Sequence, residues 1–253
     1  MDKISIIIPC FNEEENLLNN GLDSLYSYLK THHSPFEVII VDDGSTDSSY
    51  ELCSAFLEGR DEITLHRIPH SGKPTAIYKG IMESEGDIVL LIDMDQSTPI
   101  KEMEKILYWF NEGYEIVIGS RGDRREGFSI FRKISSRIFR FIRQLVILKN
   151  IKDTQCGFKA LKRNIAVQIF PLLSHIRNNK EKSGWVVTAY DVELLFVAEK
   201  LLFPIKEVEV EWINKDLSKT KKRSGWKFAY ESSEMIITII KVLINDLSGK
   251  YDF

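Results

Sequence analysis

The sequence predicts an α/β fold with a mostly parallel central sheet. Short runs of β-branched and apolar residues alternate with amphipathic stretches along the first half of the chain, which is the pattern of β-α-β units. Several runs are nearly continuous in apolar residues, as strands buried on both faces are. Clusters of polar residues follow three of the runs, at the end of the strand where an open parallel sheet binds its ligands.

The first half contains five predicted strands and four predicted helices. The strands are expected at 4–8, 36–41, 63–68, 87–92 and 114–118, and the helices near 14–30, 46–58, 73–84 and 99–111. Asp47 or Thr46 and the pair Thr98-Pro99 are suitable helix starts. Crossover connections of this kind place helices on both faces of the sheet.

The pattern changes after Ser120. A long helix is predicted for 128–148, with one apolar face and an opposite face that carries Arg132 and Ser136. The later predicted segments are a helix near 163–173, a polar loop at 175–184, a helix near 190–202, a strand at 205–213 and a closing helix near 227–247. We expect residues 1–213 to form one catalytic domain and residues 214–253 to form a linker and an amphipathic C-terminal helix.

Composition and charge narrow the class of protein. The chain has 253 residues, of which 43% are hydrophobic and 28% charged, so it can bury the core of a globular domain. A net charge of −3 does not indicate a nucleic-acid partner. Three cysteines without metal-ligand spacing favour a reducing compartment. Neither a secretory signal nor an apolar run of about 18 residues is found, so we expect a cytoplasmic protein, soluble or peripheral on the cytoplasmic face of a membrane.

Asp93 and Asp95 directly follow the predicted strand at 87–92. Two carboxylates one residue apart can converge where a chain leaves its strand and turns. Mg²⁺ and Mn²⁺ prefer oxygen ligands of this kind and usually share them with substrate phosphates. Such a triplet is also found in ordinary acidic turns, in which Asp95 would act as a local cap.

A second polar cluster, 42–47, follows the second predicted strand. A carboxylate there can accept a hydrogen bond from a base N–H or a ribose hydroxyl, and Gly44 permits the turn. The same residues suit a strand-turn-helix junction, and both roles can coexist. Lys73 would be a point charge for a diphosphate, although a lone lysine in a loop is more often solvated.

Four motifs together resemble those of family 2 glycosyltransferases. They are Pro9-Cys-Phe-Asn-Glu-Glu-Glu-Asn-Leu17, Val41-Asp-Asp-Gly-Ser-Thr-Asp47, Gly72-Lys73 and Asp93-Met-Asp95, in the family's order. Motifs of the second half look like the dolichyl-phosphate (polyprenyl-phosphate) glucosyl- and mannosyltransferase branch: Gly119-Ser-Arg121, Asp153-Thr-Gln-Cys-Gly-Phe-Lys159, Trp185 with Tyr190-Asp-Val-Glu-Leu-Leu195, and Glu207-Val-Glu-Val-Glu-Trp212. The resemblance reaches to about residue 220. It implies a GT-A type (Rossmann-like) nucleotide-sugar-binding domain.

The resemblance implies roles for residues of the donor site. The nucleoside pocket would be lined by Pro9, Asn12, Glu14 and Asp42 or Asp43. Lys73 would approach the diphosphate, and Asp93 and Asp95 would hold Mg²⁺ or Mn²⁺.

It also implies an acceptor site and a reaction centre. Arg121, Arg132 and Ser136 resemble the site for a lipid phosphate, and Asp153 and Gln155 would face the donor sugar. Asp95, Asp153, Gln155 and Arg121 are therefore the candidate catalytic residues.

Some residues depart from the family pattern. Phe11 stands where the family often has tyrosine, and Gln96-Ser97 differs from the usual neighbours of the metal loop. Pro74 replaces a glycine after the lysine and stiffens the loop, which puts the contact between Lys73 and a diphosphate in question. The N-terminal membrane anchor of the glucosyl relatives and the C-terminal transmembrane segments of some other relatives are not found in this sequence. The sequence leaves open whether a membrane-anchoring partner protein takes their place.

The resemblance implies an inverting, metal-dependent transfer of a hexose from UDP-glucose or GDP-mannose to a polyprenyl or dolichyl phosphate. Such an acceptor already carries a negative oxygen at neutral pH, since its second pKa is about 6, and needs little help from a general base. Eight basic and two acidic residues between Arg121 and Arg143 would favour a membrane surface. The closing helix would serve equally for packing on the core, on a dimer partner or on the membrane.

Two other functions are compatible with the sequence. A family 2 transferase acting on a hydroxyl acceptor in surface-glycan synthesis would need a general base, and Asp191 or Asp153 would fill that role. A nucleotide-sugar-binding module without turnover is disfavoured because both metal-loop carboxylates are present. The donor base, the sugar and the oligomeric state are left open by the sequence.

Overall fold

The computed structural model of the chain describes residues 2–19, 21–32, 34–122, 148, 151–177, 190–213, 215 and 225–251. For Gly21 and for residues 225–235 the backbone alone is described. The predicted helix at 128–148 therefore lies outside the described residues except for Leu148, which is buried.

The described strands form one seven-stranded sheet. They are β1 (Ile4–Cys10), β2 (Phe36–Asp42), β3 (Ile63–Arg67), β4 (Ile88–Leu91), β5 (Ile116–Ser120), β6 (Lys159–Lys162) and β7 (Ile205–Glu209). Their order across the sheet is β3-β2-β1-β4-β6-β5-β7. β6 runs antiparallel to both of its neighbours, and the other pairs are parallel. The predicted α/β fold with a mostly parallel sheet is confirmed.

The helices and 3₁₀ turns pack on both faces of this sheet. The helices are α1 (Glu14–Leu18), α2 (Gly21–Thr31), α3 (Ser49–Leu57), α4 (Lys73–Glu83), α5 (Met103–Asn111), α6 (Arg163–Ile169), α7 (Ser174–Arg177), α8 (Tyr190–Lys200) and α9 (Gly225–Leu247). Short 3₁₀ turns at Ile100–Glu102 and Phe170–Leu172 adjoin α5 and α6. The helix predicted at 14–30 is two helices, α1 and α2.

The apolar runs of the strands explain the two-sided core. Successive side chains of a strand point to opposite faces. In β1, Ile6 and Ile8 belong to the apolar cluster that includes Leu25 of α2, whereas Ile7 belongs to the cluster that includes Ile77 of α4. Both faces of the sheet are therefore buried, and each buried isoleucine contributes roughly 1.5–3 kcal/mol to the stability of the folded protein.

Strand β6 was not predicted from the sequence. Its four residues, Lys-Ala-Leu-Lys, contain no β-branched side chain, and the segment follows a loop motif directly. Lys159 at its start is only 1% exposed. Pairing with β4 and β5 on either side holds this segment extended, so tertiary contacts override a poor strand propensity.

The last predicted strand is shorter than expected, and the beginning of the predicted polar loop is helical. β7 ends at Glu209, and Ile213 N–H donates to Ser97 O at 2.7 Å, beside the loop after β4. Part of the loop predicted at 175–184 is the short helix α7, and residues 178–184 lie outside the described part.

The C-terminal helix α9 packs with one face on the core. Ile239 and Val242 belong to the same apolar cluster as Leu194 of α8. On the opposite face Ile240 is 49% and Ile244 57% exposed. Within the described residues, no helix combines the length and apolar character that crossing a bilayer requires. The division of the chain at residue 213 remains a prediction.

Candidate active site

The polar loops after β1, β2 and β4 meet at the carboxyl edge, the edge at which the parallel strands end. Asn12 N–H donates to Ser45 Oγ at 3.0 Å, and Thr46 N–H donates to Asn12 Oδ1 at 2.8 Å. Asn12 has a φ of 55°, a left-handed conformation that asparagine tolerates better than most residues. Its amide therefore joins the first two loops. Because β1 pairs in parallel with both β2 and β4, the loop after β4 lies at the same edge, and the predicted convergence of the polar clusters is confirmed.

Asp42 and Asp43 hold these loops in place. Asp42 is fully buried and lies 3.2 Å from Arg67 Nε, and its carboxylate also accepts a hydrogen bond from Ser45 N–H. The Asp43 carboxylate accepts hydrogen bonds from Ser71 N–H and Gly72 N–H, each at 2.8 Å. Burial raises the pKa of Asp43, and these hydrogen bonds offset only part of that shift.

The other predicted nucleoside residues lie around the same loops. Pro9 pairs with Val41 in the β1–β2 ladder. Glu14 is the first residue of α1. The ring of Phe11 stacks on His70, with ring centroids 4.1 Å apart and planes 13° apart. A role for Pro9, Glu14, Asp42 and Asp43 in nucleoside binding remains a prediction.

Lys73 is the first residue of α4 and forms an ion pair with Asp93. Pro74 lies in the first turn of α4, where proline costs no helical hydrogen bond, so it does not disturb this placement. Burial would lower the pKa of Lys73, but the carboxylates of Asp93, Asp191 and Asp95 outweigh it and keep the amine protonated. Three carboxylates thus create a negative field around one ammonium group.

The two candidate metal ligands lie on a tight turn after β4. Gln96 N–H donates to Asp93 O at 3.0 Å, and Ser97 N–H donates to Asp95 Oδ1 at 2.9 Å. The side chain of Asp93 is 38% exposed. Gly157 lies against it: a Cβ added at Gly157 would be 2.1 Å from Asp93 Oδ2.

The donor set of this turn fits a hard divalent cation. Asp93 and Asp95 supply carboxylate oxygens in a field that already holds the cationic Lys73. Among the described residues, no group of three or more His, Cys, Asp or Glu side chains is arranged around one metal position. A cation here would therefore take further ligands from phosphate and water, as Mg²⁺ usually does.

Arg121 and Asp153 form a bidentate ion pair at the end of β5. Arg121 Nε and Nη2 each donate to the Asp153 carboxylate at 2.7 Å. Arg121 N–H also donates to Asp153 Oδ2 at 3.1 Å, and Gln155 N–H donates to Oδ1 at 3.2 Å. Burial would lower the pKa of Arg121, but Asp153 outweighs it and raises the pKa. The guanidinium lies 5.8 Å from the ring of Trp212.

The structure therefore brings three of the four candidate catalytic residues together and places the fourth on a separate turn. Arg121, Asp153 and the exposed Gln155 are neighbours, and Asp95 lies on the turn after β4. Arg132 and Ser136, the other predicted acceptor-phosphate residues, lie outside the described residues.

Sequence reasoning missed a second buried ion pair in the site. Lys159 Nζ donates to Asp191 Oδ1 at 2.6 Å and also to the carbonyl of Cys156. Tyr190 is buried beside them, and burial followed by the charge of Asp191 raises its pKa. Both Lys159 and Asp191 belong to matched motifs, but no periodicity indicates that two distant charges meet inside the protein.

Comparison with known proteins identifies relatives over most of the chain. Residues 5–170 match the model of "Glycosyl transferase family 2". The chain is 35% identical over 263 residues to the dolichyl-phosphate beta-glucosyltransferase of Dictyostelium discoideum, and the match covers 97% of this chain and 75% of that protein.

Solved structures share the fold at lower identity. Mannosyl-3-phosphoglycerate synthase from Rubrobacter xylanophilus has a TM-score of 0.67 at 13% identity, with 100% of this chain and 76% of that chain covered. Glucosyl-3-phosphoglycerate synthase from Mycobacterium tuberculosis, solved with Mn²⁺, uridine diphosphate and glucosyl-3-phosphoglycerate, has a TM-score of 0.63 at 19% identity, with 95% and 80% covered.

Proposed function

The chain belongs to glycosyltransferase family 2 and has the GT-A fold of its solved neighbours, and from this we propose that it transfers glucose from UDP-glucose to a polyprenyl phosphate such as dolichyl phosphate. The similarity to the Dictyostelium enzyme carries the proposal, because it extends over 97% of the chain and so includes every segment that supplies the site. The names of that enzyme and of its human counterpart, 31% identical, favour glucose over mannose.

The state of Asp153 supports a phosphate acceptor over a hydroxyl acceptor. A hydroxyl must lose a proton to a general base, which requires a carboxylate oxygen with a free lone pair near the acceptor. Both oxygens of Asp153 already accept hydrogen bonds from Arg121. Asp191, the other candidate base, is paired with the buried Lys159. A polyprenyl phosphate arrives ionised and needs neither residue as a base.

The donor diphosphate is proposed to bind between Lys73 and the turn at 93–96. A divalent cation held by Asp93 and Asp95 would supply Lewis-acid stabilisation of the departing nucleoside diphosphate. Asp93 would be one of the residues that hold the cation, and Lys73, which now pairs with Asp93, would then be able to donate to the phosphate oxygens. Asn12 keeps the loops after β1 and β2 joined beside the nucleoside.

Arg121 is proposed to orient the acceptor phosphate. Asp153 fixes two of its guanidinium nitrogens, and Nη1 has no hydrogen-bond partner within the described residues. An arginine held in this way presents a fixed edge to a phosphate oxygen. Together with Arg132 and Ser136 it would align the acceptor behind the anomeric carbon. Direct displacement then inverts that carbon and gives a β-linked product from an α-linked donor.

A lipid acceptor requires contact with a membrane surface, and we propose that the protein is peripheral on the cytoplasmic face. The exposed isoleucines of α9 and the basic segment between Arg121 and Arg143 support this location. Basic residues near anionic headgroups contribute about 1 kcal/mol each. An additional anchoring partner protein is compatible with this arrangement.

An acceptor panel tests the proposed function. Purified protein is given UDP-glucose labelled in the sugar, Mn²⁺, and either a short-chain polyprenyl phosphate, the matching polyprenol, or a sugar acceptor. We expect label in the lipid product with the phosphate alone. Transfer to the sugar acceptor in preference to the phosphate would instead establish the hydroxyl-acceptor function. GDP-mannose in a parallel reaction decides the donor.

A further inference from the structure

Residues near the C-terminus form a buried polar cluster with α7 and α8. Glu193, Asn245 and Tyr251, which we call the C-terminal clasp, are 4%, 8% and 1% exposed. Tyr251 Oη donates to Glu193 Oε1 at 2.5 Å. Asn245 Nδ2 donates to Tyr251 Oη at 3.3 Å and to Ser174 Oγ at 2.8 Å. The clasp thus connects α9 and the end of the chain to the first residue of α7.

Glu193 is the centre of the clasp. Its Oε1 accepts hydrogen bonds from Ser174 N–H at 2.9 Å, Ser174 Oγ at 2.6 Å and Tyr251 Oη at 2.5 Å. Burying a carboxylate is costly unless hydrogen bonds compensate for the lost water. These three donors do so only when α7 and Tyr251 both stay in place. The start of α7 is therefore fixed by the C-terminal residues.

Helix α7 in turn holds the loop that leads to Lys73. His175 Nε2 lies 2.7 Å from Ser71 O, and because a carbonyl can only accept, Nε2 carries the hydrogen. Ser71 N–H donates to Asp43 Oδ1 at 2.8 Å. The Ser71 residue is thus held by α7 on its carbonyl side and by the loop after β2 on its amide side. Two residues later the chain begins α4 with Lys73.

We infer that Tyr251 and Glu193 are positioning residues of the donor site, which act through Ser174 and His175 to place Lys73. The inference rests on the proposed function insofar as it takes Lys73 to bind the donor diphosphate. An arrangement that served stability alone would lower the unfolding temperature without changing the loop at 71–73 in the folded protein.

Hydrogen exchange in the ligand-free protein tests this coupling without reference to any nucleotide. Tyr251→Phe removes the clasp hydroxyl, and Tyr26→Phe is the matched control, because it removes a tyrosine hydroxyl bound to Glu62 on another part of the fold. We expect the amides of Ser71 and Gly72 to exchange about tenfold faster in Tyr251→Phe than in Tyr26→Phe, through local opening. Faster exchange confined to α7 and the C-terminal residues would overturn the inference.

Binding of UDP with Mn²⁺ tests the consequence for the donor site. We expect Tyr251→Phe and His175→Ala each to raise the dissociation constant of UDP about fivefold to tenfold, the effect of one lost buried hydrogen bond. The double variant Tyr251→Phe with His175→Ala should bind UDP as tightly as the single variant that binds it less tightly. This is expected because both changes break the same chain of contacts between Tyr251 and Ser71. Glu193→Gln, which keeps an acceptor oxygen, should bind UDP better than Glu193→Ala. Additive losses, or UDP affinities equal to that of Tyr26→Phe, would contradict the inference.

The two measurements separate the two claims. A wild-type protein that does not bind UDP removes the proposed donor, whereas the exchange rates at Ser71 and Gly72 still decide whether the clasp holds this loop. A wild-type protein that binds UDP with unaltered affinity in Tyr251→Phe leaves the donor in place and removes the positioning role.

Discussion

Among the ion pairs at the carboxyl edge of the sheet, three surround the loop after β4 and the end of β5: Lys73–Asp93, Arg121–Asp153 and Lys159–Asp191. They differ in exposure, and this difference separates their roles. The side chain of Lys159 is 1% exposed and that of Asp153 is 7% exposed. In the third pair, the side chains of Lys73 and Asp93 are 40% and 38% exposed. The two closed pairs hold the loops of the site in place, and the open pair is the one that the proposed cation and diphosphate would separate.

Asp95→Asn should abolish most turnover and leave the fold intact. Asparagine keeps the turn, because its oxygen can still accept the hydrogen bond from Ser97 N–H. It loses the negative charge that the proposed metal ion would require, and we expect turnover to fall by at least about 100-fold, as for other losses of charge stabilisation at a leaving group. Steady-state kinetics with Mn²⁺ and a melting curve check both parts. Asp61→Asn is the control, because Asp61 is exposed and precedes β3 at the amino edge of the sheet. Normal turnover in Asp95→Asn would disprove its role.

Gly157→Ala should impair the same carboxylate from its other side. The added Cβ would meet Asp93 Oδ2 at 2.1 Å, so Asp93 must move, and a shift of about 1 Å can cost about 100-fold in rate. Gly113→Ala is the control, because its φ of 87° is strained for alanine while the space around it is open. We expect Gly113→Ala to lower stability without changing turnover. Equal turnover in the two variants would mean that Gly157 has no part in placing Asp93.

Among the secondary-structure elements, the ends of the parallel strands could be predicted from the sequence, whereas the antiparallel strand β6 could not. Polar clusters after apolar runs indicate the carboxyl edge, because parallel strands end together there. The buried Lys159 at the start of β6 gives the opposite signal, since lysine normally marks a surface or a loop. It becomes intelligible only when Asp191, 32 residues away, is seen beside it. Pairing between distant charges leaves no local pattern in a sequence.

The amino ends of β1, β2 and β4 are joined by one carboxylate, Glu37. Its Oε1 accepts hydrogen bonds from Ser5 Oγ at 2.5 Å and Glu85 N–H at 2.8 Å, and Lys3 Nζ lies 3.3 Å from Oε2. Burial would raise the pKa of Glu37, but these hydrogen bonds and the charge of Lys3 outweigh it and lower the pKa. A carboxyl group whose pKa is lower in the folded than in the unfolded state stabilises the folded protein at pH values above the pKa of the unfolded state. This stabilisation is lost as the pH falls through the pKa of the folded state.

Glu37→Gln should therefore lower the melting temperature most at neutral pH. Loss of about 1 kcal/mol corresponds to roughly 2–4 °C for a chain of this size. The difference from the wild type should persist down to about pH 4.5 and shrink below it, as the wild-type glutamate becomes protonated. Melting curves between pH 3.5 and 7.5 measure this. A difference that grows on acidification would show that the pKa of Glu37 is raised instead.

At the scale of the whole molecule, we propose that two surfaces of the chain bind different partners. The carboxyl edge holds the proposed donor site, and α9 presents exposed isoleucines on the face turned away from the core. The sequence pattern predicted the helix but did not indicate what it packs against. A helix that is apolar on nearly all sides can pack on the core, on a dimer partner or on a membrane. The structure assigns its inner face to the core, and its outer face is proposed to meet the membrane.

Removing two outer isoleucines should weaken binding to lipid vesicles. Ile240→Ser with Ile244→Ser exposes less apolar surface without touching the inner face, and burial of each isoleucine contributes roughly 1.5–3 kcal/mol when complete. We expect at least a tenfold loss of binding to vesicles that contain anionic phospholipid, measured by flotation. Leu202→Ser, at an 87% exposed position after α8, is the control and should bind normally. A change in oligomeric state with unchanged vesicle binding would assign the outer face to a second copy of the chain.

Uptake of Mn²⁺ together with UDP shows whether the turn at 93–96 holds a cation against a nucleoside diphosphate. The free Mn²⁺ signal in electron paramagnetic resonance is titrated with protein in the presence and absence of UDP. We predict uptake of about one ion per chain that depends on UDP and disappears in the variant Asp93→Asn with Asp95→Asn. UDP-dependent uptake that is unchanged in this double variant, or no uptake by the wild type, would contradict the account.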